Sequence, residues 1–571
     1  MLPKVDYVLI TSFLCCIFIR AHFCRLILQV RPEVMECNGN CLAANGPRFF
    51  VGPKGGINMS QILVTNLSFG YEGSCDNVFE NVSFSIDTNW KLGFIGRNGK
   101  GKTTFLSLLM GRYSYKGTIS SSVRFSCFPC TVTDEQAQRT ASEFLPELSA
   151  ECEEWRMICE LSELGETADI LYRPFNTLSH GERTKILLAL LFSCGEQFRL
   201  IDEPTNHLDE SSREKVKEYL SGKSGFILVS HDRDLLDACT DHVLVLNRKT
   251  IDVQSGNFSV WWENKQRRDS FAVAENEKHK KEIRKLRQAA RRVSDWADKN
   301  ERTKIGFDPV KEHDRCISTR SFIGAKTKKM QSRVKNTEQR IEREITQQEG
   351  LLQDIEEVVP LKMSPLKHHK ETLISVHDCA LQYKGTAEPM CSGLTFNVRQ
   401  GDRIALHGLN GCGKSTLMRV ILQRVGILPE DDNLCVSGTC ETASGLVISY
   451  VPQDTSFLSG SIPEFCEEQG LDRSLFCTVL RQLDLSRSQL GKDISEYSAG
   501  QKKKVILAAS IMTPAHLYIW DEPLNFIDIF SRIQLETLLN SYEPTILFAE
   551  HDIRFRENIG ADTICISNRN K

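Results

Sequence analysis

The sequence lacks any apolar run long enough to cross a membrane. Within the apolar N-terminal segment, the longest uncharged stretch covers residues 7–19, which is 13 residues, whereas a transmembrane helix needs about 20. Arg20, His22 and Arg25 interrupt the stretch that follows. We therefore expect no membrane domain and no membrane partner.

Disulfide-like cysteine spacing and a strong net charge are missing as well. The 21 cysteines are scattered over 571 residues, and the net charge is −3. Scattered cysteines favour a reduced, cytoplasmic protein over a secreted one. The length is too great for a single hydrophobic core, and it fits two domains of about 200 residues with a connector.

Two glycine-rich stretches match the pattern G-x-x-x-x-G-K-[ST], in which backbone N–H groups wrap phosphates and the lysine reaches them. The first comprises Gly96, Arg97, Asn98, Gly99, Lys100, Gly101, Lys102, Thr103 and Thr104. The second comprises Gly408, Leu409, Asn410, Gly411, Cys412, Gly413, Lys414, Ser415 and Thr416. The two copies predict two ATP sites in one chain.

About a hundred residues after each loop, an apolar run ends in an acidic pair, Asp202-Glu203 and Asp521-Glu522. Such a run predicts a buried parallel strand whose carboxyl end faces the nucleotide. The aspartates would hold Mg²⁺, and the glutamates would orient and polarise the attacking water as catalytic residues. The alternative, a surface acidic pair after a strand, is disfavoured by the spacing. The predicted Mg²⁺ ligands are Thr103, Asp202, Ser415, Gln453 and Asp521.

Further motifs recur at matched positions in the two copies. Ser179 with Gly181, and Ser498 with Gly500, precede predicted helices at residues 183–191 and 502–510. A serine and a glycine at a helix N-terminus can bind an anion through free N–H groups. His231 and His551 follow the acidic pairs by 28 and 29 residues, and Tyr71 and Tyr383 precede the loops by 25, where a ring could stack on adenine. A lone tyrosine or histidine would more often be a core residue.

This ordered set resembles the ATP-binding cassette superfamily over roughly four hundred residues. The resemblance implies an α/β fold with two P-loop cassettes packed head to tail, each ATP lying between one phosphate loop and the other copy's signature serine. Carried over residue by residue, the first site combines Lys102, Thr103, Glu203 and His231 with Ser498. The second combines Lys414, Ser415, Glu522 and His551 with Ser179.

Some positions depart from the family pattern. The first copy has Cys130 where the second has Gln453, and a thiol cannot ligate Mg²⁺ as an amide oxygen would. Cys127 and Cys130 could also be a redox or metal pair, although no second pair lies nearby. His180 and Ala499 replace signature glycines, and Phe526 stands where the first copy has His207. We therefore expect two inequivalent sites.

The connector concentrates positive charge. Residues 264–347 contain 24 Lys and Arg against 13 Asp and Glu, so the rest of the chain is acidic. Apolar residues at steps of three and four predict two amphipathic helices in an antiparallel hairpin, with an extended tip from about Ala297 to Phe322. Such a basic element suits a polyanion, although a solvated coiled-coil spacer is the plainer alternative.

Two cassettes, no membrane domain and a basic hairpin between them resemble the ABC-F proteins. Within that family, the sequence most resembles the Lsa-type antibiotic-resistance factors. The stretches that carry this resemblance are Asp87–Gly99, Gly256–Ser259, Ala272–Lys278 and Tyr518–Asn525. The resemblance implies a monomer in the E site of the 70S ribosome, whose linker contacts 23S rRNA and the P-site tRNA rather than DNA. It also implies displacement of lincosamides, streptogramin A and pleuromutilins.

Two alternatives remain open. A housekeeping translation or ribosome-assembly factor of the same type is disfavoured because only 77 residues separate Lys102 from Ser179, against 84 in the second copy, so the first cassette carries no extra arm. An ATP-binding subunit of an exporter would have no use for the basic hairpin.

The domain bounds that we predict are 59–262, 263–368 and 369–571. Residues 1–58 are predicted to be an extension upstream of the true start at Met59, because Lys54-Gly55-Gly56 could be encoded by a ribosome-binding site.

Overall fold

The computed structural model describes residues 61–71, 77–149, 152–195, 197–206, 208–247, 250–302, 332, 335–337, 339–346, 361–385 and 388–566. The predicted extension, residues 1–58, and most of the predicted linker tip lie outside these ranges. No helix within the described ranges combines the length and the apolar character that a membrane span requires.

The first cassette contains two sheets, a three-stranded antiparallel sheet in the order β2-β1-β4 and a six-stranded sheet in the order β5-β6-β7-β3-β8-β9. In the larger sheet all neighbours are parallel except β8 and β9. The strands are β1 (Gln61–Phe69), β2 (Phe79–Asp87), β3 (Lys91–Ile95), β4 (Lys116–Ser121), β5 (Arg124–Phe128), β6 (Gln197–Asp202), β7 (Phe226–Val229), β8 (His242–Leu246) and β9 (Ile251–Ser255).

The larger sheet is apolar on both faces. Along β7, Phe226 and Leu228 join one hydrophobic core, whereas Ile227 and Val229 join another. Alternate residues of a strand point to opposite faces, so a continuous apolar run is what a sheet covered on both sides requires. The carboxyl ends of β3, β6 and β7 therefore emerge from a rigid layer at one edge.

Helices connect these strands. The N-terminus of α5 (His180–Ser193) is fixed by a capping box, in which the Ser179 hydroxyl accepts a hydrogen bond from the backbone N–H of Glu182 at 3.2 Å. The helix therefore begins three residues before the predicted Arg183. The helices are α1 (Lys102–Leu109), α2 (Asp134–Ala137), α3 (Ala141–Leu148), α4 (Glu154–Glu163), α5 (His180–Ser193), α6 (Glu210–Ser221) and α7 (Arg233–Cys239), with 3₁₀ turns at Ala168–Tyr172 and Phe175–Thr177.

The linker begins as one long helix, α8 (Phe258–Arg302), of 45 residues and roughly 68 Å. It passes through the boundary that we predicted at residue 262. It also continues past Ala297, where the sequence predicted an extended tip, and that prediction is wrong for residues 297–302. Further helical residues are described at 339–346, where Ile341 is buried, as is Ile283 on α8.

The second cassette repeats the plan. Its small sheet has the order β11-β10-β13, and its central sheet, β14-β15-β16-β12-β17, is parallel throughout. The strands are β10 (Thr372–Tyr383), β11 (Cys391–Arg399), β12 (Arg403–His407), β13 (Leu434–Thr442), β14 (Ile448–Val451), β15 (Leu517–Asp521), β16 (Ile546–Ala549) and β17 (Asp562–Cys565). The helices are α9 (Lys414–Val425), α10 (Ile462–Glu468), α11 (Arg473–Gln482), α12 (Arg487–Leu490), α13 (Ala499–Met512), α14 (Ile529–Tyr542) and α15 (Ile553–Asn558), with a 3₁₀ turn at Ile494–Glu496.

An aromatic cluster joins the two cassettes at the root of the linker. Phe530, on α14 of the second cassette, lies 6.2 Å from the ring of Trp261 and 6.0 Å from that of Trp262. The neighbouring Ile529 is 3% exposed and belongs to the apolar core of the first cassette. Burial of these side chains stabilises contact between the cassettes and fixes the start of α8 against both.

Candidate nucleotide sites

In each phosphate loop, the lysine side chain donates a hydrogen bond to a backbone carbonyl of the same loop. Lys102 Nζ donates to the carbonyl of Gly96 at 2.7 Å, and Lys414 Nζ donates to that of Gly408 at 2.7 Å. A Cβ on Gly101, whose φ is 110°, would come within 2.5 Å of Val78, so the loop can close only with glycine there. The N-termini of α1 and α9 thus each present backbone N–H groups at the end of their own loop, as phosphate binding requires.

The predicted catalytic and metal-binding residues of the first site lie together. Thr103 Oγ1 donates to Asp202 Oδ2 at 2.8 Å, which brings a hydroxyl and a carboxylate, both oxygen ligands suited to Mg²⁺, to one point. Glu203 follows β6 with a left-handed φ of 51°, a conformation that is costly for a residue with a Cβ. The backbone N–H of His231 donates to Glu203 Oε2 at 3.3 Å, and His231 Nε2 lies 3.3 Å from Oε1.

Burial sets the protonation of this first site. It raises the pKa of Glu203 to about 8, with a further contribution from the charge of Asp202. It also raises the pKa of Asp202, and it lowers the pKa of His231 well below its ordinary value, so that the imidazole is neutral. A buried glutamate whose pKa lies near the working pH is suited to accept a proton from water.

The second site has the same arrangement of hydroxyl, aspartate and glutamate as the first, with Gln453 in addition. Gln453 Nε2 donates to Glu522 Oε2 at 2.9 Å, and Glu522 has a φ of 46°, matching Glu203. Ser415 hydrogen-bonds to Asp521, whose pKa is raised by burial. Both ring nitrogens of His551 are buried without a hydrogen-bond partner among the described residues, and burial lowers the pKa of His551 to about 3.

Cys130 does not take the place of Gln453. Its thiol donates to the carbonyl of Cys127 at 3.3 Å, and its side chain packs against the first cassette's core. Burial raises the pKa of Cys130 to about 11, so the thiol stays protonated, and both cysteines are free rather than disulfide-bonded. At the first site, therefore, Cys130 does not give Glu203 the hydrogen bond that Gln453 gives Glu522 at the second.

The signature helix of the second cassette lies against the first phosphate loop. Asn98 Nδ2 donates to the backbone carbonyl of Phe526 at 2.8 Å, and a Cβ built on Gly500 would lie 2.7 Å from that same carbonyl oxygen. Ser498 caps α13 beside it, its hydroxyl accepting from the N–H of Gln501 at 3.4 Å. Gly500 and Asn98 thus approach one carbonyl from the two cassettes. His207, the first copy's counterpart of Phe526, lies outside the described residues.

A reciprocal contact brings the first cassette to the second loop. Glu210, the first residue of α6, lies 3.2 Å from His407, which directly precedes Gly408. Arg556 Nη2 also donates to Glu210 at 3.0 Å. Gly181, in the first turn of α5 after the cap Ser179, packs close to α6, since a Cβ there would be 3.5 Å from Ser212 Oγ.

The two tyrosines lie at the C-terminal ends of the first strands of the cassettes, Tyr71 two residues after β1 and Tyr383 as the last residue of β10. Tyr71 is 45% exposed, and its hydroxyl is 2.7 Å from Thr104 Oγ1. Its ring makes an edge contact with Phe69 at 5.1 Å. Tyr383 ends β10 opposite Leu434 of β13. Tyr71 therefore presents an accessible ring beside α1, where a base attached to bound phosphates could stack.

Sequence reasoning missed several residues at these sites. Lys504, on α13, donates to Asp528 at 2.8 Å, and this buried pair bears electrostatically on Lys102 and His231 across the cassettes. Lys503 donates to the carbonyls of Pro452 and Asp521 at 2.7 and 3.0 Å. The run Lys502–Lys504 after a signature serine was a visible signal, because a charged run on a helix flanked by apolar residues must find partners.

The sequence is similar to proteins that are already known. The ABC transporter family matches residues 79–206 and 391–525. The chain is similar to the ribosome protection protein VmlR of Bacillus subtilis (strain 168), at 27% identity over 518 residues, covering 89% of this chain and 87% of that protein. It is also similar to the erythromycin resistance ATP-binding protein MsrA of Staphylococcus epidermidis, at 26% identity, covering 82% and 90%. The ATP-binding protein Uup of Caulobacter vibrioides is 24% identical, covering 86% and 75%.

Among solved structures, the archaeal ribosome recycling factor aABCE1, in complex with the ribosomal stalk protein aP1, superposes with a TM-score of 0.55. The sequence identity is 16%, and the match covers 88% of each chain. That likeness concerns the fold alone. The predicted α/β architecture is confirmed, since the chain carries two ABC ATPase domains in tandem. It is therefore an ATPase.

Proposed function

We propose that this protein is an ABC-F-type ATPase that binds the 70S ribosome and protects it from antibiotics of the peptidyl-transferase centre. The observation that carries the proposal is α8, a 45-residue helix that leaves the interface of two ABC ATPase domains. It bears 13 Lys and Arg against eight Asp and Glu. A basic helix on an otherwise acidic protein suits the phosphate backbone of RNA. The relatives VmlR and MsrA, described as ribosome protection and erythromycin resistance proteins, support the same assignment.

Hydrolysis would use the geometry of the two sites. Mg²⁺ would be held by Thr103 and Asp202 at the first site, and by Ser415, Asp521 and Gln453 at the second, where it would offset phosphate charge. Lys102 and Lys414 would leave their own loop carbonyls to bind phosphate oxygens. Glu203 and Glu522, each at a left-handed φ, would orient water for attack. The backbone N–H of His231 would fix the Glu203 carboxylate, and the side-chain amides of Gln453 and Asn525 would fix that of Glu522.

The linker would turn ATP-driven closure into a change at the drug site. Because the aromatic cluster of Trp261, Trp262 and Phe530 joins the root of α8 to both cassettes, movement between the cassettes must reorient the helix. We propose that a monomer occupies the cytoplasmic ribosome's E site, with the linker contacting 23S rRNA and the P-site tRNA. Lincosamides, streptogramin A and pleuromutilins are the drug classes expected to be displaced.

Expression in a susceptible Gram-positive strain tests the proposal. Inhibitory concentrations should rise at least fourfold for the three drug classes and stay unchanged for aminoglycosides, which act elsewhere on the ribosome. A variant with linker residues 303–318 shortened should still co-sediment with 70S ribosomes but give no protection. Equal protection by the shortened variant would contradict drug displacement through the linker.

A housekeeping role in translation is the second candidate. The similarity to Uup, which is not described as a resistance protein, favours it at nearly the same identity as VmlR. This candidate predicts ribosome co-sedimentation without any change in drug susceptibility, together with a growth defect when the gene is removed from its own host.

A further inference from the structure

A charged contact crosses between the cassettes at the first nucleotide site. Arg97, in the first phosphate loop, places Nη1 3.2 Å from Oδ1 of Asp484, and Lys100 Nζ lies 4.0 Å from the same oxygen. Asp484 belongs to the second cassette, in the turn between α11 and α12. The side chains of Arg97 and Asp484 are only 20% and 14% exposed, so the pair is largely shielded from solvent.

The backbone at Asp484 is strained in a way that the contact explains. Its φ is 70°, in the left-handed region that disfavours residues with a Cβ. The first cassette has Gly165 at the corresponding place, with a φ of 71°. The two segments, which run from Leu161 and Leu480 to the signature serines, align without a gap. Glycine is thus replaced by aspartate in one copy only, at a turn that suits glycine.

The whole charged set is absent from the second site. Where the first loop has Arg97 and Lys100, the second has Leu409 and Cys412. The turn that corresponds to Asp484 supplies Gly165, which has no side chain to pair. Leu409 is 57% exposed. The basic side chains of Arg97 and Lys100 and the carboxylate of Asp484, which come from different cassettes, are therefore present together at the first site and missing together at the second.

We propose that Arg97 and Asp484 form a latch that holds the two cassettes closed over the first nucleotide site, and that the second site opens without one. Arg97 lies in the loop that wraps the phosphates, so the pair fixes that loop against the partner cassette. Asp484 acts through Arg97 and is a positioning residue. Breaking the pair leaves a carboxylate whose other oxygen, Oδ2, is already buried without a hydrogen-bond partner. The inference rests on the ATP-site assignment and is independent of the ribosomal role.

Photolabelling with 8-azido-ATP tests the latch, because labelled peptides near Tyr71 and Tyr383 report the two sites separately. Asp484→Asn keeps the size of the side chain and its tolerance of the left-handed region, and removes the charge. This substitution should raise the 8-azido-ATP concentration that gives half-maximal labelling about five- to tenfold at the first site and less than twofold at the second.

Matched variants complete the design. Arg97→Leu installs the residue that the second loop already tolerates, and Asp484→Asn should add nothing further in that background. The double variant Leu409→Arg with Gly165→Asp transplants the pair and should tighten labelling at the second site. Equal weakening of both sites by Asp484→Asn, or an unchanged effect in the Arg97→Leu background, would overturn the proposal.

Discussion

Arg233 of the first cassette forms a buried ion pair with Glu536 of the second. Its Nη1 donates to Glu536 Oε2 at 3.1 Å, its Nη2 pairs with Oε1, and the two side chains are 6% and 8% exposed. Arg233 lies two residues after His231, so the pair ties the histidine loop of one cassette to α14 of the other.

Removing one partner of this pair should be costly. Arg233→Ala leaves Glu536 buried without its main cation and is expected to lower the free energy of unfolding by about 3–5 kcal/mol. Replacing both partners, as Arg233→Met with Glu536→Leu, should recover much of the loss. Denaturant titration followed by tryptophan fluorescence measures both. Arg139→Ala, which breaks an exposed pair with Glu147, serves as the control and should leave the midpoint unchanged.

The raised pKa of Glu203 predicts a pH-dependent stability. Because burial raises this pKa to about 8, from 4.5, the folded protein keeps the proton between pH 4.5 and 8 while the unfolded chain releases it. Stability due to this group therefore falls as pH rises through that window and is constant above it. Glu203→Gln should melt about 3–6 °C higher than wild type at pH 8.5, without nucleotide, and with little difference at pH 5. An advantage of equal size at both pH values would contradict the assignment.

The two sites should respond differently to loss of the glutamine position. Gln453→Ala removes the hydrogen bond to Glu522 and should lower kcat for ATP about tenfold at the second site. Cys130→Ala should change kcat at the first site less than twofold, because the Cys130 thiol contacts the Cys127 carbonyl and the core. Each substitution is measured in a background where the other glutamate is Gln. Equal losses would mean that Cys130 does act at the first site.

The charge of α8 should govern ribosome affinity. Changing the exposed residues Arg284, Lys285 and Arg291 to Glu should weaken 70S binding and reduce its salt dependence. The control changes three exposed basic residues on the cassettes, Lys116, Arg473 and Lys492, to Glu, with the same shift in net charge. Quantitative co-sedimentation from 50 to 300 mM KCl separates them. A similar loss of 70S affinity in both triple variants would indicate that the linker is a spacer and that its charge does not bind the ribosome.

Sequence alone predicted what repeats in the two copies. The phosphate loops and the acidic pairs at the ends of β6 and β15 follow from local patterns, because glycine conformation and buried strands are local physics. The helices α5 and α13 each begin three residues before the predicted starts at 183 and 502. The extent of α8 was underestimated, since scattered charge after Ala297 resembles a loop in sequence although it equally suits an exposed helix face.

Contacts between the cassettes were beyond a local pattern. Nothing near Asp484 predicts that it meets Arg97, 387 positions away, or that Arg233 meets Glu536. The fold brings them together only once the two cassettes pack against each other. Comparison of the two copies, position by position, was the signal that could have found Asp484, because it stands where Gly165 has the same backbone conformation.

Drug release from isolated ribosomes tests the central claim most directly. The double variant Glu203→Gln with Glu522→Gln should bind ATP but hydrolyse it about 10²–10⁴-fold more slowly, and so stay closed on the ribosome. With 70S ribosomes carrying P-site tRNA and a radiolabelled lincosamide, we predict that stoichiometric variant with ATP releases the drug and that the same variant with ADP does not. Full retention of the lincosamide on ribosomes that carry the ATP-bound variant would contradict the account.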